Sequence, residues 1–169
     1  MKNSLFKKIN MMLYDIKIAY PLKSVLIFLA IAIFFSFLSI FRYEEKNIKE
    51  IIADTISFFS ALTVIEIAFL SIFYSGNKGT EKAKKEYYNS QEEMTYYHYL
   101  LVKNYFSIAI KFGTIFIVFI SRIFNISELV LNFNGVIIGF YNIVYIFIIL
   151  SLLITVDLVV SMYYFLWGS

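Results

Sequence analysis

The chain has 169 residues, enough for one domain, but 60% of them are hydrophobic and only 16% charged, against about half and about a quarter in an ordinary soluble domain. One small globule cannot hide that excess, so lipid is the expected solvent. The absence of cysteine excludes disulfides, thiol catalysis and thiolate metal sites, and a net charge of +3 with no run of five or six like charges is too small to suggest direct nucleic-acid binding.

In residues 1–23, apolar side chains recur at Leu5, Ile9, Met12, Ile16 and Ala19, the spacing of one helix face, with Lys7, Lys8 and Lys17 off that stripe. Such an amphipathic helix lies among lipid headgroups with its lysines near anionic lipid, or docks on the protein as a short cytosolic helix. Pro21 suits the first turn of the helix that follows.

The first span, 24–41, reads SVLIFLAIAIFFSFLSIF and carries no charge. Its length and the long segment before it argue against a cleaved signal peptide. A charged link precedes the second span, 51–74, which carries Asp54 near one end and Glu66 inside. The connector 75–97 contains Gly76, Gly79, four lysines and four glutamates, and reads as a turn followed by a solvated helix. Its Lys82, Lys84 and Lys85 are the candidate face for a cytoplasmic protein partner.

The third span, 98–120, is interrupted by Lys103 and Lys111, of which Lys103 is expected to snorkel to the interface. Residues 121–134 form the third link, with SELVLNF expected along the surface. The fourth apolar stretch, 135–167, would be about 50 Å long as a helix and must tilt, bend or project. Tyr163, Tyr164 and Trp167 place an aromatic belt at its end.

Lysine and arginine set the orientation. Five lie in the N-terminal segment and four in the second link, against three in the first link and one in the third. The bias predicts a cytoplasmic N-terminus and second link. The expected fold is therefore an all-α integral membrane four-helix bundle with an N-terminal amphipathic helix and both ends inside.

An ionisable group at bilayer depth is costly and usually faces protein or water. Glu66, Lys111 and Asp157 qualify. Counting helix rise from the cytoplasmic ends places Glu66 and Lys111 about 12 Å deep and Asp157 about 10 Å deep. The expectation is one charge cluster in which Lys111 bridges Glu66, Asp157 or both.

On the third span Asn104, Ser107, Thr114 and Arg122 share the face of Lys111, and on the fourth Gly135, Gly139, Asn142, Asp157 and Ser161 share another. Gly135 and Gly139 have GxxxG spacing, a weak packing signal. The second span has a small-residue stripe, Ser57, Ala61, Ala68 and Ser71, opposite Glu66. Two faces wanting protein neighbours point to a homo-oligomer. Two readings stay open for the polar stripe: a water-filled ion path through an oligomer, or interior hydrogen bonding that conducts nothing.

Catalytic equipment is missing. No G-x-S-x-G, H-E-x-x-H or P-loop occurs, and no cofactor is expected. A single histidine, His98, leaves no His-pair metal site; it sits in an interfacial aromatic run, with pH sensing as the sharper alternative.

The basic N-terminus, the link RYEEKNIKE, the span ISFFSALTVIEIAFLSIFY and the basic helix leading into the third span give a layout. It resembles the small four-span membrane components of bacterial anti-phage systems, in particular the membrane subunit of the Kiwa system. Small membrane accessory proteins of RNA-targeting CRISPR systems are a second comparison. The likeness contains no diagnostic motif and carries over no residue. It implies a non-enzymatic oligomer of the bacterial inner membrane that works beside a cytoplasmic effector. A pore-forming effector is the alternative, and a small transporter or immunity protein a third class, disfavoured by the lack of broken helices or inverted repeats.

Overall fold

Six helices and one β-hairpin make up the computed structural model, which describes residues 2–39, 45–75, 78–88, 94–124, 130–133 and 136–167. In chain order they are α1 (Lys2–Ala19), α2 (Leu22–Ser39), α3 (Glu45–Tyr74), α4 (Lys78–Lys85), α5 (Tyr96–Ile123), β1 (Val130–Phe133), β2 (Val136–Gly139) and α6 (Phe140–Trp167).

Local chemistry sets the breaks. The residue before a proline is pushed out of the helical region, so α1 stops ahead of Pro21 with a last bond from the Tyr20 amide to the Ile16 carbonyl. The Pro21 carbonyl then accepts from Ser24 and Val25 to open α2, and the two helices meet at 73°. At α5 the extended Thr95 presents its hydroxyl to the His98 amide, an N-cap worth about 1 kcal/mol.

The spans of α3 (54–71), α5 (96–121) and α6 (140–163) are each long and apolar enough to cross a membrane, and the bent α1–α2 pair supplies a fourth if counted as one. The surface agrees with that class. Phe116 is 62% exposed while Thr114, two residues away on α5, is completely buried. Phe34, Phe112, Val64 and Val156 also point outward. A molecule with phenyl rings outside and hydroxyls inside is built for an apolar solvent.

α2 lies along α6, α6 along α5, and α5 along α3, while α1 and α4 also rest on α5. Buried positions of α5 include Leu100, Lys103, Ser107, Lys111, Thr114, Val118 and Ser121, separated by threes and fours as on a helix packed into a bundle. One apolar core joins Tyr99 and Leu100 of α5 to Ile154, Leu158 and Met162 of α6, with Ala19, Tyr20 and Met94. A second joins Val118 to Tyr141 and Val144 near the other end of the same pair. Polar side chains fill the level between them.

The fourth span differs from expectation at its start. Residues 136–139 form β2, paired antiparallel with β1 in the register Phe133↔Val136 to Val130↔Gly139, so the helix begins at Phe140. Val136, Ile137 and Ile138 are β-branched and favour strand geometry. The segment expected along the surface, SELVLNF, therefore contributes β1. At the other extreme α3 starts six residues before its expected span, taking in the charged 45–50.

Candidate functional site: two buried ion pairs on one helix

α3 and α5 pass each other with Glu66 opposite Lys111. The Lys111 ammonium, fully buried, donates to Glu66 Oε1 at 2.6 Å and to Ser107 Oγ at 2.7 Å. The Ser107 hydroxyl in turn donates to Glu66 Oε1 at 2.8 Å. Asn104 Nδ2 donates to the Glu66 backbone carbonyl at 3.4 Å. A buried ion pair offsets its desolvation only when further hydrogen bonds hold it, and Ser107 and Asn104 supply them.

Asp157 belongs to a different pair. Its Oδ2 lies 2.7 Å from Lys103 Nζ, which also donates to Ser161 Oγ at 2.8 Å. Ser161 donates onward to the Asp157 backbone carbonyl at 2.7 Å. The rings of Tyr99 and Tyr20 flank the ammonium at 4.7 and 5.2 Å from their centroids, the geometry of cation–π attraction. Lys103 is therefore 4% exposed and does not snorkel.

The expected single cluster is thus divided between two levels. Lys103 and Lys111 are eight residues apart on α5, a rise of about 12 Å. Counting Lys111 inward from Lys103 placed it at the depth of Asp157, because α5 begins seven residues earlier, at Tyr96, and Lys103 itself lies inside the bundle level with Asp157.

The other polar residues of the stripe serve other neighbours. Thr114 Oγ1 and Ser151 Oγ share a hydrogen bond of 2.8 Å between α5 and α6. Asn142 faces α2: its Nδ2 donates to the Ser36 carbonyl at 3.5 Å, its backbone carbonyl accepts from the Ser36 hydroxyl at 2.9 Å, and its Oδ1 accepts from the Gly139 amide at 2.9 Å. Gly139 therefore sits in the hairpin, not on a GxxxG helix face, and Gly135 lies outside the described residues. Arg122 is in α5, with its side chain outside them as well. Ser57, Ala61 and Ala68 are exposed on the face of α3 turned away from Glu66.

Lys103, Ser151, Ser36 and Tyr20 were missed as partners in the sequence. The available signal was the eight-residue interval between the two lysines, which sets them about two turns apart and about 80° round the helix, near enough for both to face the bundle but different neighbours.

On the connector, Thr80 and Ala83 turn inward, and α4 rests on α5. Lys82, Lys84 and Lys85 face out. Lys84 donates to Glu81 at 2.8 Å, and Lys82 lies 3.7 Å from Glu86. The Lys84 bond and charge hold the Glu81 carboxyl below its usual range, so this pair persists at neutral pH and is lost as pH falls through the lowered value. His98 Nε2 meets Asp15 Oδ2 at 3.1 Å, tying α1 to the start of α5. Among the described residues no three metal-ligating side chains gather.

These features define the class, a multi-pass membrane protein whose buried charges are paired between helices. The chain matches no protein-family model, no curated protein and no solved structure.

Proposed function

We propose that the chain is a non-enzymatic sensor or effector of a bacterial inner membrane, homo-oligomeric, with both ends in the cytoplasm and a soluble protein partner there. One observation carries this reading: Lys103 and Lys111, the buried lysines of α5 among the described residues, are each closed by a carboxylate of the same chain. Lysines paired in this way act as interior glue, whereas an ion path needs charges that face water. Interaction then falls to surfaces the chain leaves open. The outward face of α3, with Ser57, Ala61, Ala68 and Ser71 exposed, allows close approach of a second helix. The lysine face of α4 is positioned for an acidic patch on the partner, and the resemblance to anti-phage membrane components makes that partner a cytoplasmic defence effector.

Changing Lys82, Lys84 and Lys85 together to glutamate is expected to abolish co-purification of the cytoplasmic partner while leaving yield and oligomeric state unchanged. Retained partner would remove α4 from the interface. In planar bilayers the purified oligomer is expected to be electrically silent. A conductance that changes with Asp157→Asn would replace this reading with the pore.

A further inference from the structure

A groove of about 420 Å³ opens between α1 and α5, within the range of sites that hold one ligand, about 300–1,000 Å³. Met11, Met12 and Ile16 of α1 and Val102, Phe106 and Ala109 of α5 form its apolar walls. Two ties hold the walls together: His98 Nε2 meets Asp15 Oδ2 at 3.1 Å, and the Tyr20 ring packs on Phe106 with centroids 4.8 Å apart. The 73° bend at Pro21 takes α1 out of line with α2, so α1 rests on α5 alone near this groove, and Met11 and Met12 stay more than half exposed.

The groove lies at the edge of the apolar layer. Tyr105, also on its wall, shares a hydrogen bond of 2.8 Å with Tyr74, the last residue of α3. The stretch of α3 apolar enough to cross a membrane ends just before that, at Ser71. Tyrosine suits this depth because its ring prefers hydrocarbon and its hydroxyl prefers water. An occupant of the groove therefore meets both headgroups and acyl chains.

The rim is cationic. Lys8 lines the groove, and a more open hollow beside it shares Met11 and Asp15 and adds Lys7 and Asn10. Both lysines are exposed on α1. Asp15, the one acid lining either hollow, is engaged by His98, so the two ammonium groups set the sign. Apolar walls select a hydrocarbon chain, and paired ammonium groups beside an amide select a phosphate ester. An anionic phospholipid carries both. A zwitterionic phospholipid brings the same phosphate with a cation attached, which Lys7 and Lys8 repel.

We infer that the groove between α1 and α5 binds one anionic phospholipid, with an acyl chain along the apolar walls and the phosphate at Lys7 and Lys8. The lipid covers the methionines that α1 leaves exposed and fastens α1 to α5 beside the His98–Asp15 bond. This role is independent of the protein partner proposed for α4.

Native mass spectrometry of the full chain, released from vesicles of phosphatidylglycerol and phosphatidylcholine in equal amounts, tests the site. One phosphatidylglycerol is expected to stay bound, preferred over phosphatidylcholine by about fivefold for each lysine at the phosphate. Lys7→Gln with Lys8→Gln is expected to bring the two lipids to parity. A phosphatidylglycerol with a photoreactive group in its acyl chain is expected to label residues 102–109. Ala109→Trp, which fills the groove from an exposed position, is expected to abolish that labelling with the yield of folded protein unchanged. Equal retention of the two lipids by the unaltered chain, or a preference that survives the double lysine variant, would overturn the site. Labelling that persists in Ala109→Trp would show boundary lipid only and overturn it as well.

Discussion

Lys111→Glu is expected to abolish accumulation of folded protein. The substitution removes the ammonium that Glu66 and Ser107 surround and puts a second carboxylate in its place, at a position with no solvent exposure. Removing one partner of a buried pair costs about 3–5 kcal/mol, before any repulsion between the two acids. Domains commonly have a total stability of about 5–15 kcal/mol, so one substitution consumes much of it. The measurement is the yield of monodisperse protein in detergent together with its unfolding temperature. Two double variants give the contrast. Glu66→Lys with Lys111→Glu is expected to recover part of the yield, and Glu66→Gln with Lys111→Met to come close to wild type, because a buried pair replaced by matched neutral groups is often nearly neutral. Wild-type yield and unfolding temperature in Lys111→Glu alone would show that the contact does not form.

The second largest effect is expected at Asp157→Ala, which leaves the Lys103 ammonium 4% exposed and without its counterion. The loss is expected to be smaller, about 2 kcal/mol, since the Asp157 side chain is 30% exposed and water already screens part of the attraction. Ser161 still accepts from Lys103, and the Tyr99 and Tyr20 rings still flank it. A lowered unfolding temperature with folded protein still recoverable is the expected outcome. Adding Lys103→Met should restore most of the loss, and failure of that rescue would show that Asp157 matters for another reason.

The spans were legible because hydropathy reports the solvent a segment prefers, and α2, α3, α5 and α6 each contain a long apolar run. The inward faces of α3 and α5 were also legible: Glu66 is buried opposite the exposed small-residue stripe of α3, and Asn104, Ser107, Lys111 and Thr114 are buried together on α5. The hairpin was not, because VIIG continues into the apolar run of α6 without a change in composition. Only Asn134–Gly135, a dipeptide typical between paired strands, marked the place. The choice of partners was also hidden. Two lysines and two acids allow alternative pairings, and deciding between them needs the relative height of α5 and α6 to within a turn, which counting from an aromatic end does not provide.

The Glu66–Lys111 contact joins residues 45 positions apart. A ribosome therefore makes the acid well before the base that neutralises it, and α3 emerges carrying an unmatched carboxylate. α3 gains its counterion only once the greater part of α5 has followed, so the two helices have reason to enter lipid as a joined unit, not one after the other. The order of synthesis thus leaves Glu66 without its counterion until Lys111 has been made.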